Sequence, residues 1–483
     1  MIFNSNTFFF FFLLVFLLCL LINNATIFDE KRRVQLRNGI LLIASYYFYA
    51  FLKWEFVFLL LATTAVNYVC SLKIDSKKKA GQLFFAKLWM WIAVAFSIGL
   101  LVYFKYVNFF IDSIQEAFSM LGIGLKMNFI QIALPVGISF FTFQALTYTL
   151  DVYKGKIEVR KSFMDVALFV SFFPTILSGP IERARNLMPQ LEQASKISWK
   201  NVITGGKLFL WGLFKKVVIA DRLANYINIV YMGSITDHSS ITLIITAVLY
   251  SFQIYADFSG YSDMAIGIGK ILGFDLMKNF NYPYFSTSIK EFWKRWHISL
   301  TSWFTEYVYI PLGGNRVKQS RWILNISTVF LLSGLWHGAN WSFIFWGILH
   351  AVYYLVEFYY KKSELYIKNL FRKKYVKLNQ LFSMVIVFIL VTIAWIYFRI
   401  ENIGKASDLI TYFFSGKKEF YWGMSSFTTG MTIFLLFLFL ILDWIKYKNI
   451  KFNSIINAAG YAFLLALILL VGVSDVGFVY FQF

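Results

Sequence analysis

The chain has 483 residues, of which 59% are apolar and only 15% are charged. Soluble globular domains average roughly 45–50% apolar and about 25% charged residues, so this composition excludes an ordinary soluble domain. The formal net charge of +21 does not indicate a nucleic-acid partner, because the basic residues lie in short loops between apolar runs. Backbone groups in hydrocarbon must pair within their own segment, so the sequence predicts an all-α, polytopic integral membrane protein.

Apolar runs of membrane-spanning length recur along the chain. A hydrocarbon core about 30 Å thick needs roughly 20 residues of helix. Such runs lie near 7–23, 54–72, 86–108, 322–336, 341–360, 381–398, 430–445 and 455–473, and shorter or more polar runs lie near 38–52, 129–150, 163–180 and 239–257. We therefore expect about eleven or twelve transmembrane helices. The first run has no basic n-region and no cleavage site, which favours a retained span over a signal peptide.

Other segments are less simple than these runs. Residues 203–220 and 286–310 mix Trp and Phe with Lys and Arg, which predicts interfacial or re-entrant helices. The glycines at 265–273 lie in an apolar, helix-like context, which favours close helix packing over a nucleotide-binding loop. We expect one membrane domain over 1–483. Its parts are N-terminal helices over 1–128, a catalytic core over 129–360 and C-terminal helices over 361–483.

The distribution of basic residues predicts an orientation in the membrane. The loops rich in Lys and Arg are 31–37, 73–79, 154–161 and 361–377, whereas 109–128 and 400–429 are neutral or acidic. The positive-inside rule assigns the basic loops to the cytoplasm. We therefore expect the N-terminus, and also the C-terminus, to lie outside.

Three polar stretches contain helix-breaking residues where apolar sequence is expected, at 171–193, 253–316 and 334–341. Irregular backbone at membrane depth is tolerated only inside protein or along a wet cavity, and ionisable residues there indicate a functional site. The alternative is an interfacial loop with aromatic anchors and basic residues. That alternative is favoured for 183–200 and 316–321, whereas 253–316 is too long and too polar for a connector.

The chain has only four histidines and two cysteines. His238 lies in a hydrophilic Asp-His-Ser-Ser loop, which predicts a solvated side chain. His350 lies in an apolar run, where a hydrogen-bonded packing residue is the favoured interpretation. Cys19 and Cys70 lie in hydrophobic segments without ligand spacing, which argues against a disulfide framework or a cysteine metal site.

His337 is the strongest candidate for chemistry. It follows the apolar run 322–336, which reaches roughly 22 Å as a helix and is followed by the Gly338-Ala-Asn340 break. The imidazole would then lie inside the membrane thickness, at the head of a cavity. Imidazole suits removal of a hydroxyl proton near neutral pH, and burial favours the neutral form that a general base needs. A purely structural role for His337 is the alternative.

His297 lies 40 residues before His337, beside Lys294 and Arg295. It is expected to orient substrate, to hold the donor or to share proton transfer. A metal site made by the two histidines is poorly supported, because no carboxylate or third histidine stands at ligand spacing. We therefore expect no metal.

The motifs in these stretches resemble those of the membrane-bound O-acyltransferase (MBOAT) family. Within it, the sequence is similar to the bacterial membrane subunits that O-acetylate alginate and peptidoglycan, over almost the whole chain. The matching motifs are Ile2-Phe-Asn-Ser, Leu134-Pro-Val-Gly-Ile-Ser-Phe-Phe-Thr-Phe-Gln144, Ser178-Gly-Pro-Ile-Glu-Arg-Ala-Arg185, Asp257-Phe-Ser-Gly-Tyr-Ser-Asp263, Asn281-Tyr-Pro-Tyr284, Phe292-Trp-Lys-Arg-Trp-His-Ile-Ser299, Pro311-Leu-Gly-Gly-Asn-Arg316 and Gly334-Leu-Trp-His-Gly-Ala-Asn340. One departure is Thr305-Glu306-Tyr307, where many relatives carry Arg-Asp-Tyr.

The resemblance implies an all-α fold around a central funnel that joins the two membrane faces. It implies that His337 is the catalytic histidine and that His297 is the second motif histidine, at a position where many eukaryotic members have Asn. It also implies an acetyl donor from the cytoplasm, acetyl-CoA, with no bound cofactor. The expected partners are membrane lipids, a polysaccharide acceptor and a periplasmic or extracellular SGNH-type protein, and the expected location is the bacterial cytoplasmic membrane.

Further residues receive expected roles from this hypothesis. Basic side chains would guide the donor: Arg183, Arg185, Lys294 and Arg295. Polar or aromatic side chains would bind substrate or donor, or stabilise the oxyanion: Asp257, Ser259, Arg295, Trp336 and Asn340. The alternatives are D-alanine transfer to teichoic acid, a covalent acyl-histidine intermediate, a transporter with broken helices and a structural scaffold.

Overall fold

A computed structural model describes residues 1–124, 133–194, 197–363, 376–415, 425–473 and 477–478. Regular secondary structure in these ranges is helical, which confirms the predicted all-α class. Part of the predicted run at 129–150 and most of the basic loop at 361–377 lie outside the described residues, as do parts of the loops at 109–128 and 400–429.

The described residues form nineteen α-helices and several shorter helical turns. The α-helices are α1 Asn6–Asn24, α2 Glu30–Ala50, α3 Phe56–Lys79, α4 Leu83–Leu101, α5 Val107–Met120, α6 Ile138–Tyr153, α7 Phe163–Ser171, α8 Ala184–Glu192, α9 Trp199–Leu213, α10 Asp221–Met232, α11 Ser240–Ile271, α12 Ile289–Arg295, α13 Ile298–Phe304, α14 Gln319–His337, α15 Trp341–Lys362, α16 Val376–Arg399, α17 Ile403–Ser415, α18 Ser426–Tyr447 and α19 Ser454–Val471. Three π-helical turns, Val102–Tyr106, Phe214–Ala220 and Thr305–Tyr309, each follow an α-helix without a break, and 3₁₀ turns lie at Ile235–Asp237 and Pro283–Phe285.

Eight helical segments among the described residues are long and apolar enough to cross a bilayer, which confirms a polytopic membrane protein. They are α1, α3, the continuous Leu83–Met120 segment, α11, α15, α16, α18 and α19. The expected count of eleven or twelve included runs that form shorter helices. For example, α6 has 16 residues and α7 has 9. Helix α7 ends before Pro174 and Pro180, which lack the N–H that a helix interior needs.

The chain divides into two compact units, one formed by Met1–Phe209 with Tyr261–Met277 and the other by Leu210–Gly260 with Lys278–Phe483. In the first unit, polar side chains join three apolar helices. Asn67 on α3 donates to Ser97 on α4 at 2.9 Å and accepts from Thr149 on α6 at 2.7 Å. All three side chains are buried. These hydrogen bonds stabilise the packing of the three helices, because apolar helices in lipid have little hydrophobic driving force to associate.

Two glycines of the first unit allow α9 and α11 to approach at backbone distance. A Cβ added at Gly205 would lie 2.5 Å from the carbonyl oxygen of Gly267, and one added at Gly267 would lie 2.7 Å from that of Gly205. The contact is therefore reciprocal. It confirms the close helix packing that the sequence predicts for the glycines at 265–273.

We expect Gly205→Ala to destabilise the protein by about 1–3 kcal/mol, because the new methyl group overpacks this contact. Gly206→Ala is the matched control, since a Cβ at Gly206 meets nothing within 4 Å. Alanine is the better helix former by roughly 1 kcal/mol, so the control should be neutral or stabilising. Thermal unfolding in detergent compares the two variants, and equal unfolding temperatures would contradict the close contact.

In the second unit, helices α14 and α15 form a tight pair. A Cβ added at Gly347 on α15 would lie 2.5 Å from the carbonyl oxygen of Phe330 on α14, and Gly334 on α14 faces the carbonyl oxygen of Phe343 in the same way. Helix α15 also packs against α16. This pairing holds the C-terminal end of α14 among aromatic side chains of α15 and α16.

The π-helical turn Phe214–Ala220 belongs to the second unit and is buried at all seven positions. It includes two lysines, Lys215 and Lys216. The amphipathic composition of 203–220 predicts a helix at an interface, but these side chains lie inside protein. A buried lysine needs a partner, and both find one on α11.

Candidate active site

Backbone hydrogen bonds between residues 279–281 and the connection from α12 to α13 position His297. The backbone N–H of Asn281 donates to the carbonyl of Arg295 at 2.9 Å, and the N–H of Ile298 donates to the carbonyl of Asn279 at 2.8 Å. Between these bonds the chain turns sharply, and His297 adopts φ +43° and ψ +54° just before α13. Such dihedral angles are uncommon for residues other than glycine and cluster at functional sites.

The His297 side chain is buried, with 1% of its surface exposed. Its Nδ1 atom lies 3.1 Å from Oδ1 of Asn279. Its ring meets the ring of Phe258 edge-on at 4.6 Å and that of Trp336 at 5.7 Å between centroids. Burial lowers the pKa of His297 to about 3, because the apolar surroundings disfavour the charged ring. The imidazole is therefore neutral at physiological pH.

His337 is the last residue of α14, and the helix ends where the sequence predicts. Gly338 is extended, and the side chain of Asn340 accepts from the N–H of Ser342 at 2.8 Å, which caps α15. Helix α14 has 19 residues instead of the expected 15, because it begins at Gln319. Its length is about 28 Å, so the argument from a short helix does not by itself place His337 at a particular depth.

Aromatic side chains surround His337, of whose surface 3% is exposed. Its ring centroid lies 5.0 Å from that of Trp336, 5.1 Å from that of Trp346 on α15 and 5.1 Å from that of Phe398 on α16. The His297 and His337 rings are 6.4 Å apart between centroids, at an interplanar angle of 58°. Two imidazoles 40 residues apart in sequence are thus neighbours in an apolar enclosure. Such an enclosure suits proton transfer with little competition from water.

Buried ion pairs involve Asp257, the residue next to Phe258, whose ring contacts His297. The ammonium of Lys216 is 2.8 Å from Asp221 and 2.8 Å from Asp257, and Lys215 donates to the hydroxyl of Ser259 at 2.8 Å. Burial opposes the charged form of Lys216, but the two aspartates outweigh it and raise its pKa. Asp257 precedes Phe258, whose ring contacts His297, so the ion pairs fix the part of α11 that supports the candidate site.

The remaining predicted site residues have local structural partners. Arg295 pairs with Glu291 at 2.8 Å and donates to the carbonyl of Asn281 at 3.2 Å. Asn340 caps α15, as described above. Trp336 differs from them, because its ring contacts both histidines. Of the other basic residues, Lys294 is exposed.

The predicted donor-guiding arginines, Arg183 and Arg185, belong to the first unit, where Arg183 is buried and Arg185 is exposed. Arg183 is the N-cap residue of α8, and Arg185 lies in the first turn of that helix. The irregular residues 172–183 precede the helix. Buried in the same stretch, Glu182 accepts from the N–H of Met277 and from the side chain of Asn186. These hydrogen bonds tie the irregular backbone around 182 to Met277 and to α8.

Two of the four histidines lie outside this site. His350 on α15 is buried and its Nδ1 accepts from Trp293 Nε1 at 3.3 Å, which is the hydrogen bond expected of a packing residue. The prediction for His238 was wrong, since only 7% of its surface is exposed. The hydrophilic neighbours in sequence gave no sign of this burial, and the His238 ring packs close to Gly233. A Cβ there would lie 3.1 Å from the ring nitrogen Nε2 of His238.

Sequence reasoning missed several residues that build the site. Asn279 was visible only as part of a polar motif, and Lys215 and Lys216 were interpreted as part of an interfacial helix. Trp346 and Phe398 carry no motif at all. In the described part of the chain, no group of three or more His, Cys, Asp or Glu side chains could hold a metal ion.

Comparisons with known proteins agree with these motifs. The model of the MBOAT, membrane-bound O-acyltransferase family matches residues 156–406, which include both histidines. "Probable alginate O-acetylase AlgI" of Azotobacter vinelandii is 38% identical over 379 residues, which are 78% of this chain and 73% of the relative. "Peptidoglycan O-acetyltransferase" of Helicobacter pylori is 36% identical over 398 residues, covering 77% of this chain and 72% of the relative. "Teichoic acid D-alanyltransferase" of Bacillus subtilis is 32% identical over 228 residues, covering 45% and 57%.

Proposed function

Because the chain belongs to the membrane-bound O-acyltransferase family and is an acyltransferase, we propose that it transfers acetyl groups from acetyl-CoA in the cytoplasm. The acetyl group is then used to O-acetylate a cell-envelope or secreted polysaccharide, such as alginate or peptidoglycan. The names of two relatives, each similar over more than three quarters of this chain, support this substrate class. The observation that carries the proposal is the buried pair of imidazoles of His297 and His337.

In the proposed reaction, His337 is the general base. Its neutral imidazole takes the proton of an acceptor hydroxyl as the oxygen forms a bond to the thioester carbon. The C–S bond then breaks, and the departing thiolate takes the proton from the imidazolium and leaves as the thiol of coenzyme A. The aromatic rings of Trp336, Trp346 and Phe398 support this role because they exclude water that would hydrolyse the donor.

His297 is the second catalytic residue in this proposal, since it lies against Trp336 and His337 and is neutral. Trp336 forms a wall of the substrate site. Asp257 and Ser259 act through the helix that they anchor, because Lys216 and Lys215 already engage them. Arg295 and Asn340 likewise hold local backbone, so we assign them positioning roles rather than direct contact with the donor.

The proposed setting is a bacterial cytoplasmic membrane, with the basic loops inside and the N-terminus outside. Eight apolar helical segments in the described part of the chain support a multi-pass protein, and the charge bias supports the orientation. The polysaccharide acceptor lies outside the cell, so an SGNH-type partner in the periplasm or at the cell surface would receive the acetyl group and complete its transfer.

Donor turnover tests the proposal most directly. We expect the purified protein in detergent to transfer or hydrolyse acetyl-CoA labelled in the acetyl group, with release of coenzyme A. A D-alanyl thioester is the comparison substrate, because the D-alanyltransferase relative is similar over 45% of this chain. Preference for the D-alanyl donor would favour D-alanine transfer to teichoic acid instead. Absence of turnover with both donors, in protein that remains folded, would contradict an enzyme and favour a transporter.

Deletion of the gene tests the acceptor class. We expect the deletion strain to lose ester-linked acetate from its peptidoglycan or from its secreted polysaccharide. Alkaline release of acetate from each separated fraction identifies which polymer is affected. Unchanged acetate in both fractions would contradict the proposed acceptor class, whereas loss of esterified D-alanine would support the alternative.

A further inference from the structure

The side-chain oxygen of Asn279 can be identified from its other partner. Oδ1 of Asn279 accepts from the backbone N–H of Ser299 at 3.3 Å and from the hydroxyl of Ser299 at 2.9 Å. A backbone N–H can only donate, so the atom that faces it must be the amide oxygen and not the amide nitrogen. The orientation of the Asn279 amide is therefore fixed by a group whose proton cannot move.

The same oxygen lies 3.1 Å from Nδ1 of His297. An amide oxygen can only accept, so Nδ1 must supply the hydrogen. In a neutral imidazole, one nitrogen carries the hydrogen and the other carries the lone pair. The partner of Nδ1 therefore decides which tautomer is present, and here the lone pair belongs to Nε2.

Asn279 is held rigidly enough to impose this choice. Its side chain is fully buried, and its own carbonyl accepts from the N–H of Ile298, the residue that follows His297. The backbone of Asn279 thus binds Ile298, and its side chain contacts His297 and Ser299. Asn279, His297 and Ser299 are all buried.

We propose that Asn279 is a positioning residue that holds the hydrogen of His297 on Nδ1 and makes Nε2 the hydrogen-bond acceptor of the active site. This inference rests on the proposed function for its role in the reaction. With this tautomer, neutral His297 can accept a hydrogen bond from a substrate group other than the hydroxyl whose proton His337 takes. It cannot donate from Nε2 to the oxygen of the thioester carbonyl, so stabilisation of the oxyanion falls to other groups.

Among the contacts described above, Asn279 is the closest polar neighbour of the His297 ring. Helix α14 presents His337, which can titrate, at 6.4 Å between ring centroids, and the ring of Trp336. Helix α11 presents the ring of Phe258, and the adjacent Asp257 is paired with Lys216. The charge of Asp257 is therefore balanced by Lys216 of the π-helical turn, and the contact with Asn279 is the one that fixes the position of the proton on the ring.

Two substitutions at Asn279 separate this role from a structural one. Asn279→Asp keeps the shape and the acceptor, but its carboxylate favours the charged imidazole. We expect activity at alkaline pH near that of the natural protein, and an acid-side loss of activity that moves to higher pH by about one to three units. Asn279→Leu removes the acceptor, and we expect at least about a tenfold loss of activity at every pH. An unchanged pH profile for Asn279→Asp, or full activity for Asn279→Leu, would overturn the proposal.

Nitrogen NMR reports the tautomer without any enzymatic readout. The full-length protein labelled with ¹⁵N-histidine contains four imidazoles, and the signal missing from His297→Asn identifies that of His297. We expect protonated Nδ1 and bare Nε2 in the natural protein, and a shift toward the other tautomer in Asn279→Leu. Protonated Nε2 in the natural protein would overturn the proposal even if Asn279→Leu fails to fold. The expected tautomer in a protein that transfers no acetyl group would instead contradict only the proposed function.

Discussion

Replacing His337 by alanine is expected to lower acetyl transfer by about 10²–10⁴-fold, which is the usual contribution of a general base. Among the described rings that surround His337, those of Trp336, Trp346 and Phe398 cannot take a proton at neutral pH, whereas that of His297 can. The contact between His297 and Asn279 favours the present position of the His297 ring, so we expect His297 not to replace His337 as the base. The measurement is the rate of release of coenzyme A from acetyl-CoA by purified protein.

A loss of activity is informative only if the variant remains folded. His238→Gln is the matched control, because His238 is also buried but lies in the turn between α10 and α11 and not beside the other histidines. We expect this control to retain activity, and both variants to elute from size exclusion in detergent as the natural protein does. Substantial acetyl transfer by His337→Ala would exclude His337 as the base.

The second large effect is expected for Lys216→Met, which should destabilise the protein by about 3–5 kcal/mol. The substitution leaves the carboxylates of Asp221 and Asp257 buried without the ammonium that lies 2.8 Å from each. An uncompensated buried charge costs far more than a surface ion pair contributes. Thermal unfolding in detergent, followed by tryptophan fluorescence, measures the change.

Two further variants test the cause of this effect. Lys207→Met makes the same substitution at an exposed position of α9, and we expect a change within about 0.5 kcal/mol. Lys216→Met combined with Asp257→Asn removes one charge of each sign, so we expect it to recover part of the lost stability. If the single Lys216→Met variant unfolds at the temperature of the natural protein, the ion pairs do not hold this region together.

The length of apolar runs was sufficient to predict the helical membrane fold, because hydrocarbon allows few alternatives to a helix. It was not sufficient to predict which runs form full spans. The run near 163–180 is apolar as far as Leu177, yet α7 ends at Ser171 and the following residues pack as irregular, buried backbone. Local hydropathy cannot distinguish lipid from protein as the apolar surroundings of a segment.

The sequence singled out the two candidate histidines, but it did not predict the contacts that surround them. His297 and His337 were candidates because histidine is rare in this chain and both lie in polar motifs, and the structure makes them neighbours. The expected binding role of Asp257 did not anticipate Lys216, because the partner lies 41 residues away in a segment that looked interfacial. The role of Asn279 depends on an interatomic distance, and sequence alone gives no distances.

The backbone at position 297 limits what any variant there can report. Its dihedral angles suit asparagine, aspartate and histidine, whereas a β-branched side chain would collide with its own main chain. A valine at 297 would abolish turnover simply by distorting the loop, and the result would say nothing about protons. Asparagine is the informative replacement, because it fits the same conformation and cannot titrate. The backbone conformation thus restricts which residues can replace His297, and only among those can a variant test the chemistry of the side chain.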